Sequence, residues 1–457
     1  MPMTLEEQLQ NLWENMAFAR LLRTFRLAVA PSRLILAGLT ILVVCSTGAF
    51  LDWLRPTVLV DDRYPPKVRL SDFTRQESRT ELDAFATDRR LIRYFQDSHR
   101  PGDGHTHCEG VFTTLWNFGS ARFTQATVSL LAPDGRGVLA RLADMFTDLW
   151  MCLVALYWAV RYHPVYSLVF LAVCFLAFIL GGGAICRSVA LESARGEKPG
   201  LIEVLQFSLR RFGALAAGPA LSAVVMLVFA GALVLLGVVL RIPRAGELVL
   251  GLGLGIGLIF GLLTVLMLLG TTVGGSLMLP VIAYEASDGF DAVSRSFRYV
   301  FSQPWWMGFY LLIAGLVGAV SYLFVRLFVY LVLIVTYGMV FLGVAGDPMR
   351  VEKLRRLWPR PGFYDLMGSG PAVVGWSETV GGVLIRITML GVVGLVVAYV
   401  VSFYFSASTV IYSLLRQKLD RIAPDRVYVK LDEVVDGGVD APPPRERVDS
   451  SAKDLSV

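Results

Sequence analysis

No acidic or basic side chain occurs between Glu247 and Glu285, and the whole stretch from 149 to 346 carries only 18 Asp, Glu, Lys or Arg. Roughly 18 to 20 consecutive apolar residues suffice to cross a bilayer as a helix, and several uncharged runs here exceed that length. The chain has 457 residues, 55% apolar and only 17% charged, against about 25% charged in an average soluble protein. A water-soluble enzyme, a disordered chain and a fibre are all excluded by that balance, and five Cys among 457 residues do not make a disulfide scaffold. The predicted class is an all-α polytopic membrane protein.

Six crossings can be drawn. They are Leu34 to Leu54, Val165 to Ala190, Phe212 to Leu240, one within Leu248 to Tyr284, one starting at Pro304, and one within Ile387 to Leu415. The runs 248 to 284 and 305 to 346 are each long enough for two tight spans, which would make eight, but neither contains a charged turn. One span each is therefore preferred. Two shorter apolar pieces, 149 to 160 and 327 to 343, read as interfacial or re-entrant helices; Arg326 lies 22 residues past Pro304, about 33 Å of helix, which puts it at an interface.

The resulting organisation is a segment 1 to 33 bearing an amphipathic helix, a first span at 34 to 54, a polar insertion at 55 to 148, a membrane domain at 149 to 415, and a tail from 416 to 457. The N-terminal helix follows from Thr4 and Glu7 in capping-box spacing and an apolar stripe of Leu5, Leu9, Leu12, Trp13 and Met16. The first span lacks a small-residue cleavage site and reads as a retained anchor. The tail from Ile422, with Gly-Gly and Pro-Pro-Pro, reads as disordered. Arginines before the first span, between the second and third, and after the sixth fall on one side. The positive-inside rule makes that side cytoplasmic, with both termini on it and the insertion outside. Net charge is +5, but the Lys and Arg lie beside apolar spans and not in a basic stripe, so nucleic acid is not an expected partner.

A short pattern recurs on the arginine-rich side. Arg295-Ser296-Phe297-Arg298 matches Arg23-Thr24-Phe25-Arg26, with Pro304 and Pro31 following at similar distance, and Ser208-Leu209-Arg210 is a weaker third copy. Phe290, Val293, Phe297, Val300 and Phe301 share one helical face, with Asp291, Ser294, Arg295 and Arg298 opposite. Such a helix lies in the interface, where Arg23, Arg26, Arg210, Arg295 and Arg298 can reach lipid phosphates. The membrane domain thus reads as three units of interfacial helix plus hairpin, with the insertion placed in the first.

The segments GGGAICRSVALESARGEKPGLIEVLQFSLRRF (181 to 212) and LMLPVIAYEASDGFDAVSRSFRYVFSQPW (277 to 305) resemble a family of uncharacterised multi-pass membrane proteins common in planctomycete-type bacteria. The second segment is also loosely similar to the membrane domain attached to some glycerophosphodiester phosphodiesterases. The resemblance covers about 60 residues and implies an integral protein of the bacterial inner membrane without an assigned reaction. The chain carries no recognisable phosphodiesterase catalytic domain.

Three further sets of residues are candidates for a functional or packing role. Glu192 and Glu285 occupy matching positions after the second and fourth spans, and either form an ion- or proton-coupling pair or are interfacial carboxylates paired with Arg187 or Arg295. His99, His105, His107 and Cys108 have zinc-ligand chemistry in a stretch that also reads as an ordinary turn; zinc is the one candidate cofactor. Gly253, Gly257 and Gly261 are spaced for close helix packing, either within the chain or against a second copy or partner membrane protein. No Ser-His-Asp, HExxH, Walker or CxxC arrangement is present. The expected function is a non-enzymatic membrane-organising or accessory protein, with a transporter-like module for lipid or a small solute, or an intramembrane enzyme, as alternatives.

Overall fold

The computed structural model describes residues 21–64, 79–99, 105–131, 137–239, 241–242, 245–367, 375–421 and 427. The N-terminal stripe and the tail from Ile422 onward, Val427 apart, lie outside them. Among the described residues six helices are long and apolar enough to cross a membrane. The chain is an all-helical polytopic membrane protein, apart from one two-stranded sheet in the insertion.

In chain order, short helix α1 (Thr24–Ala28) leads into α2 (Pro31–Leu54). The insertion contributes β1 (Val58–Asp61), α3 (Glu81–Thr87), α4 (Leu91–Ser98), β2 (Thr106–Glu109), α5 (Val111–Leu131) and α6 (Val138–Tyr162). The remaining elements are α7 (Pro164–Arg195), α8 (Leu201–Arg210), α9 (Phe212–Val239), α10 (Ala245–Glu285), α11 (Gly289–Ser302), α12 (Pro304–Val344), α13 (Pro348–Leu357) and α14 (Trp376–Leu419). Proline opens α2, α7, α12 and α13, where its missing N–H has no helical acceptor to lose. Gly196 ends α7 at φ 72°, the left-handed geometry that a helix stop requires and glycine tolerates.

The two long runs each form one unbroken helix of 41 residues, α10 and α12, so the count is six and not eight. The two shorter pieces belong to longer helices. Residues 149 to 160 are the second half of α6, because nothing between Val138 and Tyr162 breaks a helix, and the expected edge of the insertion at 148 falls inside it. Residues 327 to 343 simply continue α12, because Arg326 finds internal partners and marks no helix end.

The three units expected from the repeat are visible as α1 before α2, α8 before α9, and α11 before α12, each short helix followed by a hairpin of two long ones. The second helices of the hairpins, α7, α10 and α14, all touch one another. The glycine triplet of α7 is where α2, α14 and α9 approach that helix. A Cβ on Gly181 would overlap Thr40 of α2, one on Gly182 would overlap the Phe405 ring of α14, and one on Gly183 would lie 2.8 Å from Leu215 of α9. Three successive residues, about 100° apart around the helix, thus admit three different neighbours. The outer part of the α9–α10 hairpin is held differently: the side chain of Leu236 fills the space over Gly253 and Gly257, while Gly261 faces open space. The partner of this glycine spacing is therefore α9 of the same chain.

Gly182→Ala is expected to destabilise the protein by about 1–3 kcal/mol through overpacking. The double variant Gly182→Ala/Phe405→Leu should recover most of that loss in thermal unfolding, whereas Gly391→Ala, which meets no atom within 4 Å, should change the midpoint little.

Candidate functional site

The arginine-rich ends of the spans converge on two carboxylates. Arg33, fully buried two residues into α2, forms an ion pair with Glu192 at the end of α7. Its Nε also donates to Ser188 Oγ at 3.2 Å, and its guanidinium donates to the Leu27 carbonyl of α1. Glu285, at the end of α10, is paired with Arg295 of α11 and lies 3.2 Å from Arg416 Nε of α14. Tyr412 of α14 donates to its Oε1 at 2.7 Å. The two sites are joined: Ser193 Oγ and Tyr284 hydroxyl are 2.9 Å apart, and the Tyr284 and Tyr412 rings pack at 5.4 Å. Glu192 and Glu285 are thus brought to one level of the bundle, and each is neutralised by arginine.

A second layer of contacts closes the same end. Arg187, nearly buried, donates to the Ala283 carbonyl at 2.9 Å and lies over the Phe207 ring of α8. Arg298 reaches Asp420 at 2.6 Å, and Tyr299 hydroxyl donates to the same carboxylate. Burial, with Asp420 accepting that bond, pushes the Tyr299 phenol up to about 12. Two of the five arginines expected at lipid phosphates, Arg295 and Arg298, are thus engaged within the protein, whereas Arg23, Arg26 and Arg210 stand exposed. The amphipathic face of α11 is divided likewise: Val293 and Val300 are buried, and Phe290 and Phe301 face outward.

The aligned hydroxyls of the repeat, Thr24, Ser208 and Ser296, are all fully buried, and none has a hydrogen-bond partner among the described residues. Ser208 Oγ would be 3.0 Å from a Cβ on Gly183, and Ser296 backs onto Gly274 at 3.5 Å. At these positions a small side chain lets the short helix approach a glycine of a span, which the alignment of the three copies alone does not reveal.

In the insertion, the histidines are drawn to different carboxylates. Asp61 accepts from Arg63 and lies 3.0 Å from His99 Nε2, while His107 Nδ1 lies 2.9 Å from Asp62. Asp61 ends β1 and Asp62 begins the turn that follows it. Cys108 is exposed and paired with Leu59 across the strands, and His105 precedes β2. Among the described residues no group of three or more His, Cys, Asp or Glu lies together as metal ligands would. The hydrogen bond from Arg63, opposed by burial and reinforced by His99, holds the Asp61 carboxyl well below the usual range; burial instead pushes Glu81 and Glu109 up.

On the same side, Arg326 joins three elements. It donates to the carbonyls of Phe363 and Tyr364 at 2.9 Å, to Thr124 Oγ1 of α5 at 3.0 Å, and to Tyr322 hydroxyl at 2.6 Å. Asp52, near the end of α2, accepts from the backbone N–H groups of Phe112 and Thr113 and so caps α5, while Tyr166 of α7 donates to it. These contacts seat α5 between α2 and α12.

Fold and site together define a multi-pass membrane protein whose charged side chains at the span ends are mutually neutralised. Comparison with known protein families, curated proteins and solved structures found no match.

Two outcomes follow from this geometry. Arg33→Ala leaves the Glu192 charge uncompensated and should cost about 3–5 kcal/mol, while Arg33→Met/Glu192→Gln should restore most of the loss in thermal unfolding. For Asp61, a folded-state pKa below the ordinary value means that its contribution is present above about pH 4 and is lost as pH falls. The stability advantage of wild type over Asp61→Asn, read from hydrogen exchange of β1 and β2 corrected for intrinsic rates, should accordingly shrink between about pH 6 and pH 3. Glu81 and Glu109 titrate with the opposite sign but in both proteins, so they cancel in that difference.

Proposed function

We propose that this chain is a non-enzymatic membrane-organising or accessory protein of the bacterial inner membrane, with its arginine-rich face and both termini on the cytoplasmic side. The observation that carries this reading is the pairing of Glu192 with Arg33 and of Glu285 with Arg295 and Arg416. Carboxylates poised to relay a proton or hold a cation need accessible lone pairs and a path to water. Here their oxygens accept from guanidinium and phenol groups that belong to neighbouring helices, and a role as girders between helices accounts for both. The orientation rests on the arginines at the ends of alternate spans, and the organism class on the likeness of residues 181 to 212 and 277 to 305 to an uncharacterised bacterial family. Exposed Arg23, Arg26 and Arg210 are suited to anionic headgroups on that face.

The purified protein in proteoliposomes should show no proton or cation flux above empty vesicles under an imposed gradient, and Glu192→Gln and Glu285→Gln should lower its thermal stability without altering leak. Gradient-driven flux in wild type that Glu285→Gln abolishes would replace this reading with a transporter.

A further inference from the structure

Helix α6 is not among the six spans, yet it carries a continuous apolar face that none of the described residues covers. Leu139, Phe146, Trp150, Leu153, Tyr157 and Val160 are 45 to 82% exposed, and their spacing places them within one narrow sector of a helix of 3.6 residues per turn. The opposite sector holds the packed side chains and the paired charges, while exposed Arg161 borders the stripe at its C-terminal end. Asp148 pairs with Arg122 of α5 at 3.0 Å, Asp144 and Arg141 also have partners, and Ala155, Trp158 and Ala159 are buried against the core of the insertion. The sorting is that of a helix between protein on one side and hydrocarbon on the other.

Two further observations specify what lies against that face. Tyr162 is followed directly by His163 and by Pro164 at the start of the span α7. The exposed stripe is thus followed within a few residues by the exposed apolar side chains Val165 and Leu168 at the start of that span. The rim of the stripe is basic: Arg89 lies over the Tyr157 ring at 5.5 Å, and Arg90 and Arg93 are exposed beside it in sequence. An apolar stripe with aromatic rings and an arginine border matches the acyl and phosphate layers of one leaflet in turn.

We propose that α6 is a monotopic helix whose Leu139-to-Val160 face lies in the acyl region of the leaflet on the insertion side, with Arg89, Arg90 and Arg93 at the phosphates. The insertion then rides on the bilayer as a tethered cap and does not project from it. This holds whether the protein is an accessory subunit or a transporter, and its failure leaves that question untouched.

The test uses full-length protein in vesicles of phosphatidylethanolamine and phosphatidylglycerol, with and without brominated acyl chains. The difference in emission between wild type and Trp150→Phe isolates Trp150, a conservative change at an exposed apolar site. That component is expected to be lost in brominated lipid and to resist iodide in the aqueous phase. Quenching by iodide with no effect of bromine would overturn the proposal. Shielding from both quenchers would overturn it equally, with a dimer in light scattering assigning the face to a second copy and a monomer assigning it to another part of the chain.

Discussion

A guanidinium with no access to water must find its counter-charge and all its acceptors inside the protein, and Arg33 does so by drawing three segments together. Burying an unpaired charge is far more costly than any single packing contact can offset, so the position of Arg33 leaves little choice in the placement of its partners. The Leu27 carbonyl fixes α1 against the start of α2, and Ser188 and Glu192 fix the end of α7. From there the arrangement propagates through the bundle: Ser193 meets Tyr284 of α10, and Tyr284 meets Tyr412 of α14. The glycine triplet at 181 to 183 lets α2 and α14 approach α7 closely along the same helix. Charge pairing and close approach are therefore two aspects of one constraint at one end of the bundle.

The other end obeys a looser rule. The α9–α10 hairpin is mostly exposed along its length, as suits helices solvated by lipid, and only Leu236 over Gly253 and Gly257 records a tight approach there. Compactness on the insertion side comes instead from α5, capped by Asp52 and held by Arg326. A basic side chain at the edge of a span is thus placed in one of two ways in this protein: Arg23, Arg26 and Arg210 are exposed, while Arg33, Arg187 and Arg326 are internal and join elements distant in sequence.

That division explains what could be read from the sequence. The six spans were legible because hydrocarbon tolerates no charge along 20 residues, a condition that each segment meets on its own, and the recurrence of Arg-Ser-Phe-Arg before a span marked the repeat. Glycine spacing at 253 and 257 announced close packing correctly, although not with which helix. The Arg33–Glu192 pair was not legible, since the two residues are 159 apart and meet only when separate helices adopt one register; the sequence favoured Arg187 for that role because it is nearer. Thr24, Ser208 and Ser296 were visible as a pattern, but the reason for the small size of Ser208 and Ser296 lies in the opposing Gly183 and Gly274. Helix α6 was misjudged in length because hydropathy counts Asp144 and Asp148 as exposed, whereas both turn inward to partners.

The central claim is that the arginine-rich ends of α7, α10 and α14 are locked into a single arrangement by neutralised carboxylates. Pulsed electron paramagnetic resonance between spin labels at Arg195→Cys on α7 and Gln417→Cys on α14, in lipid and with native cysteines replaced, measures that directly. One narrow distance distribution, unchanged by an imposed pH or ion gradient, is the predicted result. Two populations that exchange weight with the gradient would contradict it, because they would show the paired ends opening and closing.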